Sequence, residues 1–283
     1  MTRAFVWSVR RELWENRWVW LAPVIVGFVA VLGFMATIPA LATNVAELSG
    51  PNVDEAHTVV HGPYGAAAML GFAVAFLVGV FFCLDALSGE RRDRSVLFWK
   101  SLPVSDRSAV LAKAAVPLLV LPVLVFAVTT AVITIVASLS ALILDDAGTA
   151  MLFHHVQPIR SAIAVLYAVI VIVFWHAPIY AWLLLVSARA RRGALIWAVL
   201  PWLAIVALER ILLQSQRFAD YLEFLLIGWA TRAFAWQDDS MTNVLGSLRP
   251  LEVVRMPAIW LGLAFAVACL IGAIRLRRTS EPL

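Results

Sequence analysis

Charged side chains are scarce in this sequence of 283 residues. They make up 14% of the chain, and lysine occurs only as Lys100 and Lys113. The charges stand in clusters between long apolar runs rather than being spread evenly. A charge near the centre of a bilayer costs about 2.5–3.5 kcal/mol on the insertion scale. This clustering therefore indicates a chain that crosses a membrane and keeps its charges near the surfaces.

Recognisable catalytic and nucleotide-binding motifs are missing as well. The chain has no G-x-x-x-x-G-K-[ST] phosphate loop, no H-E-x-x-H zinc motif and no G-x-S-x-G nucleophile motif. Its two cysteines, Cys83 and Cys269, lie inside apolar runs and lack the spacing of metal ligands. These absences predict that the chain is not an enzyme, binds no cofactor or metal ion itself, and has no nucleic-acid partner.

Apolar residues are what the sequence has in excess. They account for 63% of the chain, and the mean hydropathy is +0.90, whereas a soluble domain is about 45–50% apolar. We predict an all-α integral membrane protein whose single domain spans residues 1–283. Six membrane spans, each long enough for a hydrocarbon core, are predicted at about 18–42, 63–87, 114–144, 159–188, 194–213 and 257–274.

Two further segments are predicted to be helical without crossing the membrane. In residues 1–17, apolar side chains fall on one side of a helix, and Ser8, Arg11, Glu12 and Glu15 fall on the other. This amphipathic pattern predicts a helix in the membrane interface, with a short extension of the first span as the alternative. Residues 214–256 contain an apolar stretch broken by Glu223 and Arg232. We interpret this region as interfacial or re-entrant outer helices between the fifth and sixth spans.

Basic residues mark one side of the membrane. The N-terminal segment, residues 88–113, residues 189–193 and the C-terminal tail together hold 16 of the 22 basic residues. Residues 43–62, between the first two spans, hold none. Because lysine and arginine are enriched in cytoplasmic loops, both termini and residues 88–113 are predicted to be cytoplasmic, with residues 43–62 outside.

Few polar groups lie inside the predicted spans. Thr130, Thr134 and Ser138 share one face of the third span, and His176 lies deep in the fourth. Such groups are candidates for a substrate path, since polar residues at membrane depth are often functional. The alternative is structural: the hydroxyls would bond to carbonyls of their own helix, and the neutral imidazole would bond to a neighbouring helix.

A stripe of small residues runs along the second span. Small side chains let membrane helices approach closely, which replaces the hydrophobic drive that is absent in lipid. We therefore expect other helices to pack tightly against this stripe, which consists of Ala67, Gly71, Ala75, Gly79 and Cys83.

The loop at residues 88–113 is the most informative segment. It begins with charges, continues as Val96-Leu97-Phe98-Trp99 and stops at Pro103. Ser105 then has the character of a helix N-cap, with Asp106 in the first turn. The pattern predicts a short amphipathic helix whose aromatic side chains are covered by lipid or by a partner protein.

The same segment resembles the first cytoplasmic loop of ABC type-2 transporter permeases, which are exporters. The resemblance rests on Gly89-Glu90-Arg91-Arg92-Asp93-Arg94-Ser95, then Phe98-Trp99-Lys100-Ser101-Leu102-Pro103-Val104-Ser105, and then Lys113. That family typically has E-R-x-x-G-S/T, an apolar run and L-P-[VI]-S/T, and Arg94 stands where glycine is common. The predicted order of an interfacial helix, six spans and outer helices before the last span also fits the family along nearly the whole chain.

The resemblance implies a permease subunit that forms half of an export path in a bacterial cytoplasmic (inner) membrane. A second permease copy or a paralogue would complete the path, and separate ABC ATPase subunits would bind ATP and Mg²⁺ beneath it. The loop would be the coupling helix that enters a cleft on the ATPase. The residues implied in this contact are Glu90, Arg91, Arg94, Ser95, Phe98, Trp99, Lys100, Leu102 and Pro103.

Three other functions remain as alternatives. A non-transporting membrane anchor or sensor partner would need no polar path. A secondary transporter would need an ion or proton site near the membrane midplane, for which His176 is the one candidate. An intramembrane enzyme would need His176 together with a second deep acid or nucleophile, which the sequence does not offer.

Overall fold

Helices account for almost all of the described structure. The computed structural model describes residues 2–37, 53–92, 105–190, 192–234 and 247–279, and these contain no strand beyond an isolated bridge between Phe234 and Leu248. The helices are α1 (Thr2–Glu15), α2 (Trp18–Met35), α3 (Val53–Ala86), α4 (Ser88–Arg92), α5 (Asp106–Ala115), α6 (Leu121–Ile143), α7 (Asp146–Val156), α8 (Pro158–Arg189), α9 (Ala194–Leu212), α10 (Arg217–Ala233), α11 (Pro250–Arg255) and α12 (Pro257–Thr279).

Six helical segments in the described residues are long and apolar enough to cross a membrane. They are Trp18–Met35, Gly65–Glu90, Asp106–Ile143, Pro158–Arg189, Ala194–Leu212 and Pro257–Thr279. Each coincides with a predicted span, so the prediction of a multi-pass, all-α membrane protein is confirmed. Residues 38–42 of the predicted first span lie outside the described residues.

Several helices extend beyond the spans predicted from hydropathy. The helix of the second span starts at Val53, ten residues before its apolar part, and the sixth continues through the basic tail to Thr279. The predicted loop 88–113 is helical at both ends, because α4 follows α3 almost directly and α5 begins at Asp106. Hydropathy misses these ends because the terminal turns of a membrane helix carry polar side chains.

The third span changes its helical hydrogen-bonding pattern near its start. The Ser105 side chain accepts a hydrogen bond from the Ser108 backbone N–H at 3.2 Å, which confirms Ser105 as the N-cap. A π-helical turn at Val116–Val120 then joins α5 to α6. Pro117 lies in this turn and Pro122 opens α6, and proline has no N–H to donate to the α-helical ladder. The π-helical turn therefore lies where two prolines interrupt the α-helical ladder.

Helix α8 lies at the centre of the bundle and packs against α3, α6, α9, α10 and α12. The stripe of small residues on α3 allows α6 and α8 to approach closely, as expected. A Cβ added to Gly79 would lie 2.8 Å from the Tyr180 ring of α8, and one added to Gly71 would lie 3.5 Å from Thr129 of α6. The chain then reverses between α8 and α9 at Gly193, whose φ of 63° suits glycine.

Helix α1 turns its polar side toward the protein. Glu12 is only 2% exposed and pairs with Lys113 of α5, while Leu13 packs against the main apolar core. The polar side that bears Glu12 therefore packs against α5, where Lys113 gives it a partner within the fold. The opposite surface exposes Val6, Trp7 and Trp14, with the Arg10 guanidinium over both indole rings. The depth of α1 in a membrane stays a prediction.

The segment between the last two spans contains α10 and α11. Glu209, at the end of α9, accepts a hydrogen bond from the Phe218 backbone N–H at 2.8 Å and so holds the first turn of α10. The Trp175 indole N–H of α8 donates to the Leu225 carbonyl of α10 at 3.0 Å. Helix α10 is therefore fixed to the bundle rather than extended from it.

The contact between Gly79 and Tyr180 gives a test of the packing. Gly79→Val should lower the free energy of unfolding by about 1–3 kcal/mol, because the added atoms overlap the Tyr180 ring and force one of the helices to shift. Thermal unfolding of the detergent-purified protein measures this change. The matched control is Gly33→Val, since a Cβ at Gly33 meets no atom within 4 Å. Equal losses in the two variants would contradict the close approach of α3 and α8.

Candidate functional site

Charged side chains from four helices meet at the end of the bundle where α3 is followed by α4. Glu90 lies at the centre of this group. Its carboxylate accepts hydrogen bonds from Arg11 of α1 at 3.1 Å and from Arg277 of α12 at 2.8 Å. The Lys113 ammonium of α5 lies 3.1 Å from the same carboxylate. We call the whole group the ion cluster, and it comprises Arg11, Glu12, Glu15, Glu90, Asp106, Lys113 and Arg277.

Lys113 joins two carboxylates that come from different helices. Its ammonium donates to both oxygens of Glu12 at 3.0 Å, in addition to its pairing with Glu90. The Arg11 guanidinium bonds to Glu12 at 2.6 Å as well. Because Lys113 and Glu12 are each 3% exposed at the side chain, this part of the cluster is screened from solvent and its bonds are correspondingly strong.

Arg277 and Glu15 form the periphery of the cluster. Arg277 bonds to Glu90 and also donates through Nε to Asp106, in the first turn of α5, at 3.3 Å. Glu15 lies 3.4 Å from Arg11 and is half exposed. Partial burial raises the pKa of Glu15 above its ordinary value.

Burial makes the cluster sensitive to the loss of any one charge. The side chains of Glu12, Glu90, Lys113 and Arg277 are all at least nine-tenths buried. Removing one member of a buried ion pair typically costs about 3–5 kcal/mol, because the partner charge is left without compensation. The described helices α1, α4, α5 and α12 are therefore held together at this end by mutually dependent charges.

Ser187 of α8 fixes the backbone that carries Glu90. Its hydroxyl donates to the Leu84 carbonyl at 2.8 Å and accepts from the backbone N–H groups of Leu87 and Ser88 at 3.1 and 3.0 Å. These bonds satisfy backbone groups that the break between α3 and α4 would otherwise leave unpaired. A serine with no exposed surface thus sets the direction in which α4 leaves the second span and delivers Glu90 to the cluster.

The cluster also connects the two ends of the segment 93–104. Glu90 lies just before this segment, and Asp106 and Lys113 follow it on α5. Both ends therefore belong to one group of charges, which α1 and α12 share. A displacement of either end has to move charges on the other helices or break their bonds.

Two of the residues predicted for the ATPase contact lie on α4, and the others lie outside the described residues. Glu90 lies within the ion cluster, and its side chain is nine-tenths buried. Arg91 lies on the described backbone of α4. The remaining residues lie outside the described part of the chain, and they are Arg94, Ser95, Phe98, Trp99, Lys100, Leu102 and Pro103.

The residues predicted for a substrate path lie on two helices, α6 and α8. Thr134 and Ser138 lie on an exposed face of α6, and their hydroxyls donate to the carbonyls of Thr130 and Thr134 at 2.9 and 2.8 Å. His176 is 4% exposed, and its Nε2 lies 3.4 Å from the Leu226 carbonyl of α10. The hydroxyls of Thr134 and Ser138 thus bond to their own helix and the imidazole to a neighbouring one, whereas the buried Thr130 hydroxyl has no hydrogen-bond partner in the described residues. A role of these residues in a substrate path stays a prediction.

Four central members of the cluster, Arg11, Glu12, Lys113 and Arg277, were not predicted as site residues. Arg11 and Glu12 were placed on the polar side of the predicted interfacial helix, and Arg277 in the basic C-terminal tail. One feature of the sequence does indicate a buried ion pair here, since Lys113 directly precedes the apolar run that begins at Ala114. A lysine at that boundary needs an acidic partner if neighbouring helices bury it.

Loss of the central carboxylate tests the cluster. Glu90→Gln keeps the size of the side chain but leaves the cations of Arg11, Lys113 and Arg277 without a shared anion. We expect the free energy of unfolding to fall by about 3–5 kcal/mol, measured by thermal unfolding in detergent. The control is Glu252→Gln, which removes an exposed pair with Arg249 and should cost about 0–1 kcal/mol. Similar losses in both variants would show that the cluster does not stabilise the fold.

Comparisons with known proteins do not place the chain in a family. It matches no protein-family model, no curated protein and no solved structure. Its function therefore has to be inferred from its own contacts and charges.

Proposed function

We propose that this chain is the permease subunit of an ATP-binding-cassette exporter. It forms half of a translocation path, which a second copy or a paralogue completes. A separate ATPase subunit binds ATP and Mg²⁺ and supplies the energy. The proposed location is a bacterial inner membrane, with both termini and the ion cluster on the cytoplasmic side.

The observation that carries this proposal is the shared anchoring of the segment 93–104. A partner that pushed on a loosely held loop would move that loop alone. Here Glu90 on one side of the segment and Lys113 on the other belong to a single buried group of charges. Force applied to the segment therefore reaches α1 through Arg11 and α12 through Arg277. This is the property that a coupling loop requires, since closure of the ATPase has to tilt several spans together.

Helix α10 fits the role of an outer re-entrant helix in this proposal. It carries Asp220, Glu223 and Arg232 within 17 residues, and charges within a hydrocarbon core are costly. Its bond to Trp175 holds it against α8, which supports a position in the outer part of the bundle without a crossing.

Docking of an ATPase provides the main test of the function. The apolar residues 96–99 stand between charges, and aromatic anchors dominate such protein contacts. Phe98→Ala should weaken binding of the co-expressed ATPase roughly thirtyfold, which corresponds to a lost anchor of about 2 kcal/mol. Titration of the purified permease with the purified ATPase, identified by its phosphate loop, measures the affinity.

Two controls accompany this measurement. Trp197→Ala removes an exposed aromatic side chain of α9, remote from the segment in the sequence, and should leave the affinity unchanged. The chain purified without the ATPase should hydrolyse no ATP, because it has no phosphate loop. Equal affinities of wild type and Phe98→Ala would exclude the coupling role for this segment.

The orientation in the membrane is tested by cysteine labelling in intact cells. Ser105 and Ala147 are exposed at opposite ends of the third span, and both native cysteines are buried. An impermeant thiol reagent should label Ala147→Cys and leave Ser105→Cys unlabelled until the cells are permeabilised. The reverse pattern would place the ion cluster outside the cell and refute the proposed contact with a cytoplasmic ATPase.

A further inference from the structure

A cavity of about 550 Å³ is bordered by five helices. Three of them, α8, α9 and α12, are the last three spans, and the other two are α3 and α10. The cavity shares no residue with the ion cluster. Its size is in the range of ligand sites, which typically measure 300–1,000 Å³. Aromatic rings form much of its wall, and the main ones are Phe76, Trp175, Trp182, Trp202, Phe224 and Phe265.

Two of the three indole N–H groups that line this cavity are already bonded to backbone carbonyls. The Trp175 N–H is bonded to the Leu225 carbonyl at 3.0 Å, and the Trp182 N–H is bonded to the Ala198 carbonyl at 3.1 Å. Water needs two to four polar partners to occupy a cavity stably, whereas apolar cavities take up apolar ligands. The lining therefore suits a hydrocarbon chain.

The cavity is accessible from the side of the helix bundle. Val199 of α9 and Phe265 of α12 both line it, and they are 42% and 40% exposed. Both residues lie within helices that are apolar enough to span a membrane. The molecules that surround such a surface are lipids, so an acyl chain can enter the cavity without passing through water.

The positively charged side chain of Arg232 lies next to one wall of the cavity. The Arg232 guanidinium lies 5.9 Å from the centre of the Phe224 ring, which lines the cavity. Arg232 is exposed and forms no ion pair with any acidic side chain in the described residues. An exposed guanidinium beside the Phe224 ring can pair with the phosphate of a lipid whose chain contacts that ring.

We propose that this cavity binds one acyl chain of an anionic membrane phospholipid, with the lipid phosphate near Arg232. The apolar rings cover the chain, and the arginine selects the headgroup charge. This assignment goes beyond the proposed transport function and does not depend on an ATPase partner.

Photocrosslinking of the full chain tests where the acyl chain lies. The protein is placed in phosphatidylcholine nanodiscs that contain a trace of phosphatidylglycerol with a diazirine in one acyl chain. Mass spectrometry then locates the crosslinks. We expect cavity-lining residues of α9 and α12 to be labelled at least fivefold more than other exposed residues of the same helices. Uniform labelling of these helices would overturn the proposal.

Variants that fill the cavity provide the matched comparison. Val199→Trp places an indole in the cavity and should reduce crosslinking there at least fivefold. Leu200→Trp changes the adjacent residue, which is exposed but does not line the cavity, and should leave crosslinking unchanged. Leu261→Trp fills the cavity from α12 and serves if Val199→Trp fails to fold. Unchanged crosslinking in a folded filling variant, or an equal loss in the control, would refute the site.

The headgroup is tested with two lipids that carry the same diazirine chain. Wild type should crosslink phosphatidylglycerol about fivefold more than phosphatidylcholine, which is the effect of one favourable basic residue near the membrane surface. Arg232→Gln should remove this preference and retain the cavity crosslinks, whereas Arg210→Gln, which changes an exposed arginine at the end of α9, should keep it. Equal preference in wild type and Arg232→Gln would disprove the role of Arg232.

Discussion

The buried carboxylate of Glu90 is the interaction on which one whole end of this protein depends. Three cations from three helices converge on it, and each of them would be costly to bury alone. Within a single helix, the ion pairs of the described cluster are those of Arg11 with Glu12 and Glu15, and its other pairs join different helices. The pairs with Glu90 therefore join the first helix, the second and third spans and the last span to one another. The oxygen atoms of this carboxylate set the relative positions of these helices at this end.

This arrangement accounts for what the sequence could and could not predict. The apolar runs identify six spans because hydrophobic length depends on the bilayer and not on the fold. The Ser105 cap was also predictable, since it acts within one helical turn. The partners of Glu90 were not, because Arg11 and Arg277 are separated from it by 79 and 187 positions. A single sequence shows that a charge stands beside an apolar run, but not which distant charge lies next to it.

Different kinds of interaction join the helices at the two ends of the bundle. At the end with the ion cluster, helices are joined by paired charges that tolerate little rearrangement. Toward α10, they are joined by aromatic rings and by the bond from the Trp175 indole to the Leu225 carbonyl. The fifth span has few buried residues and leaves room beside it. Under the two proposals made above, the paired charges would transmit motion at one end, and the aromatic cavity would bind a lipid chain beside the fifth span.

The π-helical turn at Val116–Val120 also has a consequence for the evolution of the chain. Each residue of a helix turns the following surface by about 100°, and a wider turn adds a residue without lengthening the span in proportion. Lys113 precedes this turn and the core residues Leu121 and Val125 follow it, so the turn sets the angle between a charged face and an apolar face. Losing one residue within the turn would restore regular α-helical spacing and keep α6 in the same orientation relative to Lys113. Losing one residue from a regular part of the span would instead rotate α6 by about 100°. The turn is therefore the place in this span where a change of length by one residue leaves both faces aligned.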